Sequence, residues 1–437
     1  MPKRTKKLLV YLDQNFISEM AKAKVNERVK REFKEVYELL HTGFIEEKLV
    51  VPQSWFHDVE TSLLPQLKER IVSYQNYLGQ VELNRPDEVS NAQVAAALQR
   101  FLGDNGTDAL SIETAFRDHP DQRVQRFNIT VDMHLERRDY KTDRTSIAQA
   151  QEALRQGLLQ KRTTYEAQVE NEYNWRRDLF LKNALQEFAH LCKHPREELL
   201  AFANSSDFRT IPVIGIGARL YAAILTKYPT RQIKASDATD VEILSTYLPY
   251  MDVLCTDAFM ADQLRTLGIH KEHQVAIFNA KTTSLNAFKA FLEDYLKNTP
   301  PVHRPTITVF VLPSHSIKKQ AFKFFLDLGA AAREFGTNEY AEIYAFDDGR
   351  MPQYELPQMP NHPIPFYGLQ EVRPIELRPG TSNEEILTLC RAHCRSNKFV
   401  LIEEYQEIPK LFLLGVIMRA DAGIDTTGGC RIYTKNP

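Results

Sequence analysis

The chain's first apolar run is "LLVYL" (Leu8 to Leu12), fenced by lysines before it and by Asp13 after it. An unbroken run of this length predicts a strand buried on both faces, as in a parallel sheet. Apolar positions then switch to helical spacing at Phe33, Val36, Tyr37, Leu39 and Leu40, a helix that Gly43 is predicted to close. "KLVVPQS" predicts a second short buried strand, stopped by Pro52, and "SWFHDVETSLLPQLKERI" a further helix with Ser54 as its N-cap. Strand, helix, strand, helix is the pattern of a parallel α/β sheet.

From about residue 84 to 209 the pattern changes. Gln, Glu, Arg and Ala dominate, and apolar residues recur at three and four, so this stretch is predicted to be a long helical insertion that projects from the core. The α/β alternation then resumes: "GARLYAAILTKYP" and "ASDATDVEILSTYLPY" as helices, "MDVLCTD" as a strand, "AFMADQLRTLG" as a helix, "QVAIFN" as a strand and "SLNAFKAFLEDYLKN" as a helix. The Pro-containing "NTPPVHRP" marks a boundary near residues 298 to 305. A first domain is therefore expected over residues 1–300 and a C-terminal α/β domain over 303–437. The latter opens with "TITVFVLP" and holds helices near 317–335 and 384–396, a Pro-rich loop over 352–365 and the apolar run "KLFLLGVIM".

Composition changes this picture little. Hydrophobic residues at 43% and charged residues at 26% over 437 positions are globular values, with room for two domains. A net charge of -2 gives no global nucleic-acid footprint, although a local basic groove is compatible with it. Five scattered cysteines fit a reducing compartment rather than a disulfide framework. No apolar run reaches the ~20 residues of a membrane span, and the basic start is too short in apolar residues for a signal peptide. The expectation is a soluble, cytoplasmic protein without membrane contact.

The chemistry lies in the acids that end the strands. Asp13 closes the first strand, and alone it reads equally well as a cap for the next helix. Asp257 closes "VLCTD" in the same way, Glu60 lies in the helix after the second strand, and Asp237 and Asp240 are three apart in "SDATD", on one helical face. Acids at successive carboxyl ends of a parallel sheet converge where such folds bind ligands. Carboxylates that close repel one another unless a cation neutralises them, and an oxygen-only set suits Mg²⁺ or Mn²⁺.

With "LLVYLDQN", "VVPQSWFHDVE", "SDATD" and "YLPYMDVLCTD" in this order, the chain resembles the PIN-domain nucleases over roughly residues 6 to 80 and 210 to 296. The resemblance implies an α/β/α sandwich around a central parallel sheet and metal-dependent cleavage of RNA or DNA. It implies Asp13, Glu60, Asp240 and Asp257 as catalytic, metal-holding acids, with Asn15 as companion to Asp13 and Thr256 beside Asp257. Either Asp237 or Asp240 fits the third position. Asp240 is preferred because its interval of seventeen residues to Asp257 is close to the family's, which leaves Asp237 in support. The long insertion departs from compact members of the family.

Other features read more plainly. His57, three before Glu60, is placed to orient a carboxylate or a phosphate. Lys161, Arg162, Arg176 and Arg177 lie among aromatic residues and are candidate nucleic-acid contacts. "CRAHC" lacks a second ligand pair for zinc, "IGIGARL" lacks a third glycine, and "LPSHS" has no elbow glycines. Two functions stand: a metal-dependent endonuclease whose additions choose substrate or partner, and a PIN-like scaffold that binds nucleic acid or a protein without cutting. By analogy of fold, elaborated nuclease cores of this kind belong to bacterial toxin or anti-phage systems, gated by a partner such as an ATPase. A homo-oligomer is compatible with either function.

Overall fold

A computed structural model describes residues 5–23, 29–62, 71, 78, 81–104, 110–121, 137–228, 230–300, 302, 307–311, 341–347, 372–376, 381–394, 398–402, 425–426 and 430–434. The chain divides into two compact units, Met1–Gln122 with Ile129–Val302, and Arg123–Asn128 with His303–Pro437.

In the first unit the strands are β1 (Leu8–Leu12), β2 (Leu49–Val50), β3 (Val253–Cys255) and β4 (Ala276–Phe278). They form one parallel sheet in the order β2-β1-β3-β4, with Leu8 opposite Leu49, Val10 opposite Val253, and Val253 opposite Ala276. Around the sheet run α1 (Gln14–Ala23), α2 (Arg31–Ile45) and α3 (Trp55–Ser62). The inserted stretch carries α4 (Pro86–Phe101), α5 (Ile112–Ala115), α6 (Arg137–Gln160), α7 (Tyr165–Phe188), α8 (Pro195–Ala203) and α9 (Ser206–Thr210). It is followed by α10 (Pro212–Thr226), α11 (Asp237–Tyr247), α12 (Ala258–Thr266), α13 (Ile269–Glu272) and α14 (Thr282–Asn298).

All five residues of β1 are buried, as an unbroken apolar run requires. Alternate residues serve opposite faces. Leu8, Val10 and Leu12 enter a core with Phe16 and Met20 of α1, Phe33, Val36 and Leu40 of α2, and Leu285, Phe288 and Leu292 of α14. On the other face Tyr11 stacks on His57 of α3 at 5.2 Å and on Tyr247 of α11 at 6.2 Å between ring centroids. Helices therefore cover both faces of the sheet, which leaves its carboxyl edge as the place where polar side chains gather.

Gly43 does not close α2, which runs on to Ile45. A Cβ at Gly43 would lie 2.5 Å from Leu49 Cδ2 and 2.7 Å from Leu296 Cδ2. Its glycine lets α2 approach β2 and α14, and is not a helix stop. Ser54 precedes α3 as expected, but its hydroxyl shares a 3.1 Å hydrogen bond with the Tyr11 hydroxyl.

The inserted stretch is helical, and among its described residues none joins the four-stranded sheet. It does not project. Helices α6 and α7 pack on α10, and α6 also packs on α11. The fully buried Gln93 of α4 donates to Thr246 O and to the Tyr250 hydroxyl, both at 3.2 Å, and accepts Val213 N–H at 3.0 Å. A second core joins Val94 and Leu98 of α4, Phe188 of α7, Phe202 of α8, and Phe208. Helix α10 begins at Pro212, so "IGIGARL" is helix and not a loop. Among the described residues no helix is long and apolar enough to cross a membrane.

The second unit holds β5 (Ile307–Val311), β6 (Ala341–Asp347), β7 (Val372–Glu376), β8 (Lys398–Ile402), β9 (Asp425–Thr426) and β10 (Cys430–Thr434) in a sheet of order β7-β6-β5-β8-β10-β9. The β7-β6-β5-β8 part is parallel, and β10 runs antiparallel to both β8 and β9. Helix α15 (Asn383–His393) starts at a capping box of Ser382 and Glu385. The helix expected near 317–335, the Pro-rich loop, "KLFLLGVIM", and Ser314 with His315 lie outside the described residues.

Gln93 gives the test of this packing. Gln93→Leu leaves the buried Thr246 O without this donor and the part-buried Val213 N–H without this acceptor, at a cost of about 1–3 kcal/mol. Urea unfolding is expected to show a lower midpoint for this variant.

Candidate functional site

The carboxyl edge of the sheet is fixed first by backbone. Asp13 N–H continues the β1 ladder to Cys255 O at 2.9 Å, and Asp13 O accepts Phe16 N–H at 2.8 Å, so Asp13 turns the chain from strand into α1. Leu12 O accepts a 2.7 Å hydrogen bond from His57 Nε2, while His57 Nδ1 accepts Ser54 N–H at 3.1 Å. Both ring nitrogens of His57 are thus committed to backbone. Burial drives its pKa down to about 4, so the ring is neutral with its proton on Nε2. Neither ring nitrogen of His57 is left to orient a carboxylate or a phosphate, the role its place in the sequence suggested. It clamps the strand end that carries Asp13.

Asp13, Glu60, Asp240 and Asp257 come close enough to feel one another's charge. Burial, then the charges of Glu60 and Asp257, push Asp13 up to about 7. Burial raises Asp240 well above the carboxylate range, and Asp13, Asp257 and Glu60 add to it in that order. Burial also raises Glu60, against the opposing pull of Arg144.

Each acid meets the repulsion differently. Glu60 Oε1 is 3.4 Å from Arg144 Nη1 of α6. Asp257 caps α12, its Oδ1 accepting Phe259 N–H at 2.7 Å and Met260 N–H at 2.9 Å. Asn15 donates to Asp13 Oδ2 at 3.4 Å. Asp237, wholly buried, takes a bidentate pair from Arg231 at 2.6 and 2.7 Å and a third bond from Lys234 N–H at 2.9 Å. Its oxygens belong to that arginine, whereas Asp240, one turn along the same helix, faces the other acids. Thr256 is buried between Cys255 and Asp257, its N–H bonded to Phe278 O.

Among the described residues, no group of three or more His, Cys, Asp or Glu side chains stands arranged to hold a metal ion. The pull of Arg144 on Glu60 and of the α12 N–H groups on Asp257 gives a physical reason. Each draws a carboxylate toward a positive charge or dipole of its own.

The basic candidates lie away from this edge or are already engaged. Arg176 is buried, pairs with Glu172 at 2.6 Å and lies over the Trp175 and Tyr221 rings. Arg177 pairs with Asp178. Lys161 and Arg162 are exposed at the turn between α6 and α7. The two residues that sequence reading passed over are Arg144 and Arg231. Arg144 lies 84 positions from the acid it pairs with, and no local pattern marks it. No protein-family model, curated protein or solved structure matches the chain.

The raised acids fix a pH dependence. An unfolded Asp titrates near 3.8 and folded Asp13 near 7, so the folded state holds the proton more tightly. The stability from this group is complete below about pH 4 and is lost as pH rises toward about 7. In EDTA, the urea midpoint of the wild type should fall between about pH 5.5 and pH 8 more than that of Asp13→Asn. Equal falls in the two proteins would show that Asp13 is not held protonated by its neighbours.

Proposed function

We propose that the chain is a metal-dependent endonuclease of the PIN-like class, acting on the phosphodiester bonds of RNA or DNA. One observation carries this reading: acids from β1, α3, α11 and the end of β3 gather at the carboxyl edge of a parallel sheet, where burial and then the charges of neighbouring acids, Glu60 and Asp257 among them, raise Asp13 and Asp240. A structural role does not call for two buried carboxylates, Asp13 and Asp240, set beside two further acids. The donor set is all oxygen, which fits Mg²⁺ or Mn²⁺.

Asp13, Glu60, Asp240 and Asp257 would hold the cation. When bound, it supplies a water of lowered pKa and polarises a phosphoryl oxygen. The chain's own residues do the positioning. His57 and Cys255 O fix the strand end beneath Asp13, Asn15 steadies its carboxylate, and Arg231 keeps Asp237 out of the set. In this reading the helical insertion and the C-terminal unit, a separate α/β domain, select substrate or partner, in a setting such as toxin action or anti-phage defence.

A second reading, a non-cleaving scaffold, draws support from the lack of a ready-made ligand group among the described residues. Labelled RNA and DNA incubated with the full chain in Mn²⁺, Mg²⁺ or EDTA decide between the two. The nuclease should cut only with a cation. Asp13→Asn and Asp240→Asn should each lose at least about a hundred-fold in rate. Mn²⁺ should raise the melting temperature of the wild type and not of these variants. Wild-type protein that neither cuts nor gains stability with Mn²⁺ would leave the scaffold standing.

A further inference from the structure

Two guanidinium groups flank the acids, and they reach the site by different routes. Arg144 comes from α6 in the insertion, where it pairs with Glu60 and also donates from Nε to Ala235 O at 3.2 Å. Arg231 comes from the loop before α11. Its Nη1 and Nη2 are gripped by Asp237, and its guanidinium carbon lies 3.6 Å from the centroid of the Phe259 ring. A guanidinium has five N–H donors. Asp237 engages two of them, and the bidentate bond and the ring together fix the plane of the rest. Beyond Asp237, Arg231 is close enough for Asp257 and Asp240 to act on its charge. Arg155 of α6 bonds the carbonyl of Arg231 itself, so the insertion steadies both cations.

Resting on the nuclease reading, we infer that Arg144 and Arg231 are the phosphate-binding residues of this site, one delivered by the insertion and one preset by Asp237. The formal charges require something of the kind. Asp13, Glu60, Asp237, Asp240 and Asp257 carry five negative charges when all are ionised, and a phosphodiester brings one more. Before the phosphodiester arrives, with a single divalent cation, the two arginines cut the surplus of negative charge from three to one. With two divalent cations they turn a net negative site into a net positive one. In both cases the arginines lower the barrier that the acids raise against the substrate they are meant to meet. A planar donor fork also suits the oxygens of a phosphate. The ligand class is thus a nucleic-acid phosphodiester, RNA or DNA, held where these two guanidinium groups border the acids.

The test is equilibrium binding of fluorescently labelled single-stranded RNA and DNA to the full chain. The wild type serves as the parent, with phosphorothioate-linked strands to slow cleavage, and titrations are run in Mn²⁺ and in EDTA at several salt concentrations. Added to this parent, Arg144→Gln and Arg231→Lys should each weaken Mn²⁺-dependent binding about tenfold, the former with a salt slope shallower by about one. Arg231→Lys keeps a positive charge opposite Asp237 and should melt near the parent. Arg144→Lys serves in the same way if the Gln variant melts early. If the parent needs Mn²⁺ to bind and both variants bind equally well, the arginine assignment is overturned and the metal reading stands. If the parent binds alike in both buffers, the metal reading falls, and the variants' affinity in EDTA decides the arginines alone. A parent that binds in neither buffer overturns both.

Discussion

Asp13, Glu60, Asp240 and Asp257 repel one another at the carboxyl edge of the four-stranded sheet, and the surrounding elements are best understood as answers to that repulsion. Burial of one carboxylate already disfavours its charge, and three neighbours deepen the effect. The chain answers with a different device for each acid. Asp13 is pushed toward protonation. Glu60 is given a guanidinium, and Asp257 the N-terminal amides of a helix. Asp240 lies within reach of the Arg231 charge, yet burial and then its acidic neighbours raise it well above the usual range.

Such a cluster keeps its geometry only if the backbone beneath it is stiff. Strand β1 supplies that stiffness through complete burial and through parallel pairing on both sides. His57 contributes as a neutral cross-brace from α3 to Leu12 O, with its ring stacked on Tyr11. A histidine three residues before an acid invites a catalytic role. Here its use is architectural, because both ring nitrogens are spent on backbone partners and burial keeps the ring neutral.

Much of this frame was legible from residue order. The run Leu8 to Leu12, the short apolar stretches before Pro52 and Asp257, and the helical spacing of the inserted stretch each declare their element, because burial on two faces and burial on one leave different periodicities. The positions of Asp13 and Asp257 were legible for the same reason: an Asp just past a strand's end falls at a predictable edge. Gly43 misled because a glycine that relieves packing and one that ends a helix look alike in sequence. Only the nearness of Leu49 and Leu296 separates them. Arg144, Arg231 and the exclusion of Asp237 were not legible, since they depend on which helix lies against which loop. The expected projection of the insertion failed likewise: periodicity shows that a helix has an apolar face, not what that face will cover.

The hold of α6 on the loop before α11 limits how far this chain can be cut down. Arg155 holds Tyr228 O at 3.1 Å and also Arg231 O, Glu152 accepts from Ile233 N–H, and Arg144 holds Ala235 O. The helix is a splint laid along the segment that delivers Asp237 and Asp240. Trimming residues 84 to 209 back to a minimal sheet would strip these carbonyls of their donors, bare the face of α10 and release the loop that aims two of the five acids. Sheet and insertion are therefore mechanically inseparable: the loop keeps its aim only while α6 lies along it.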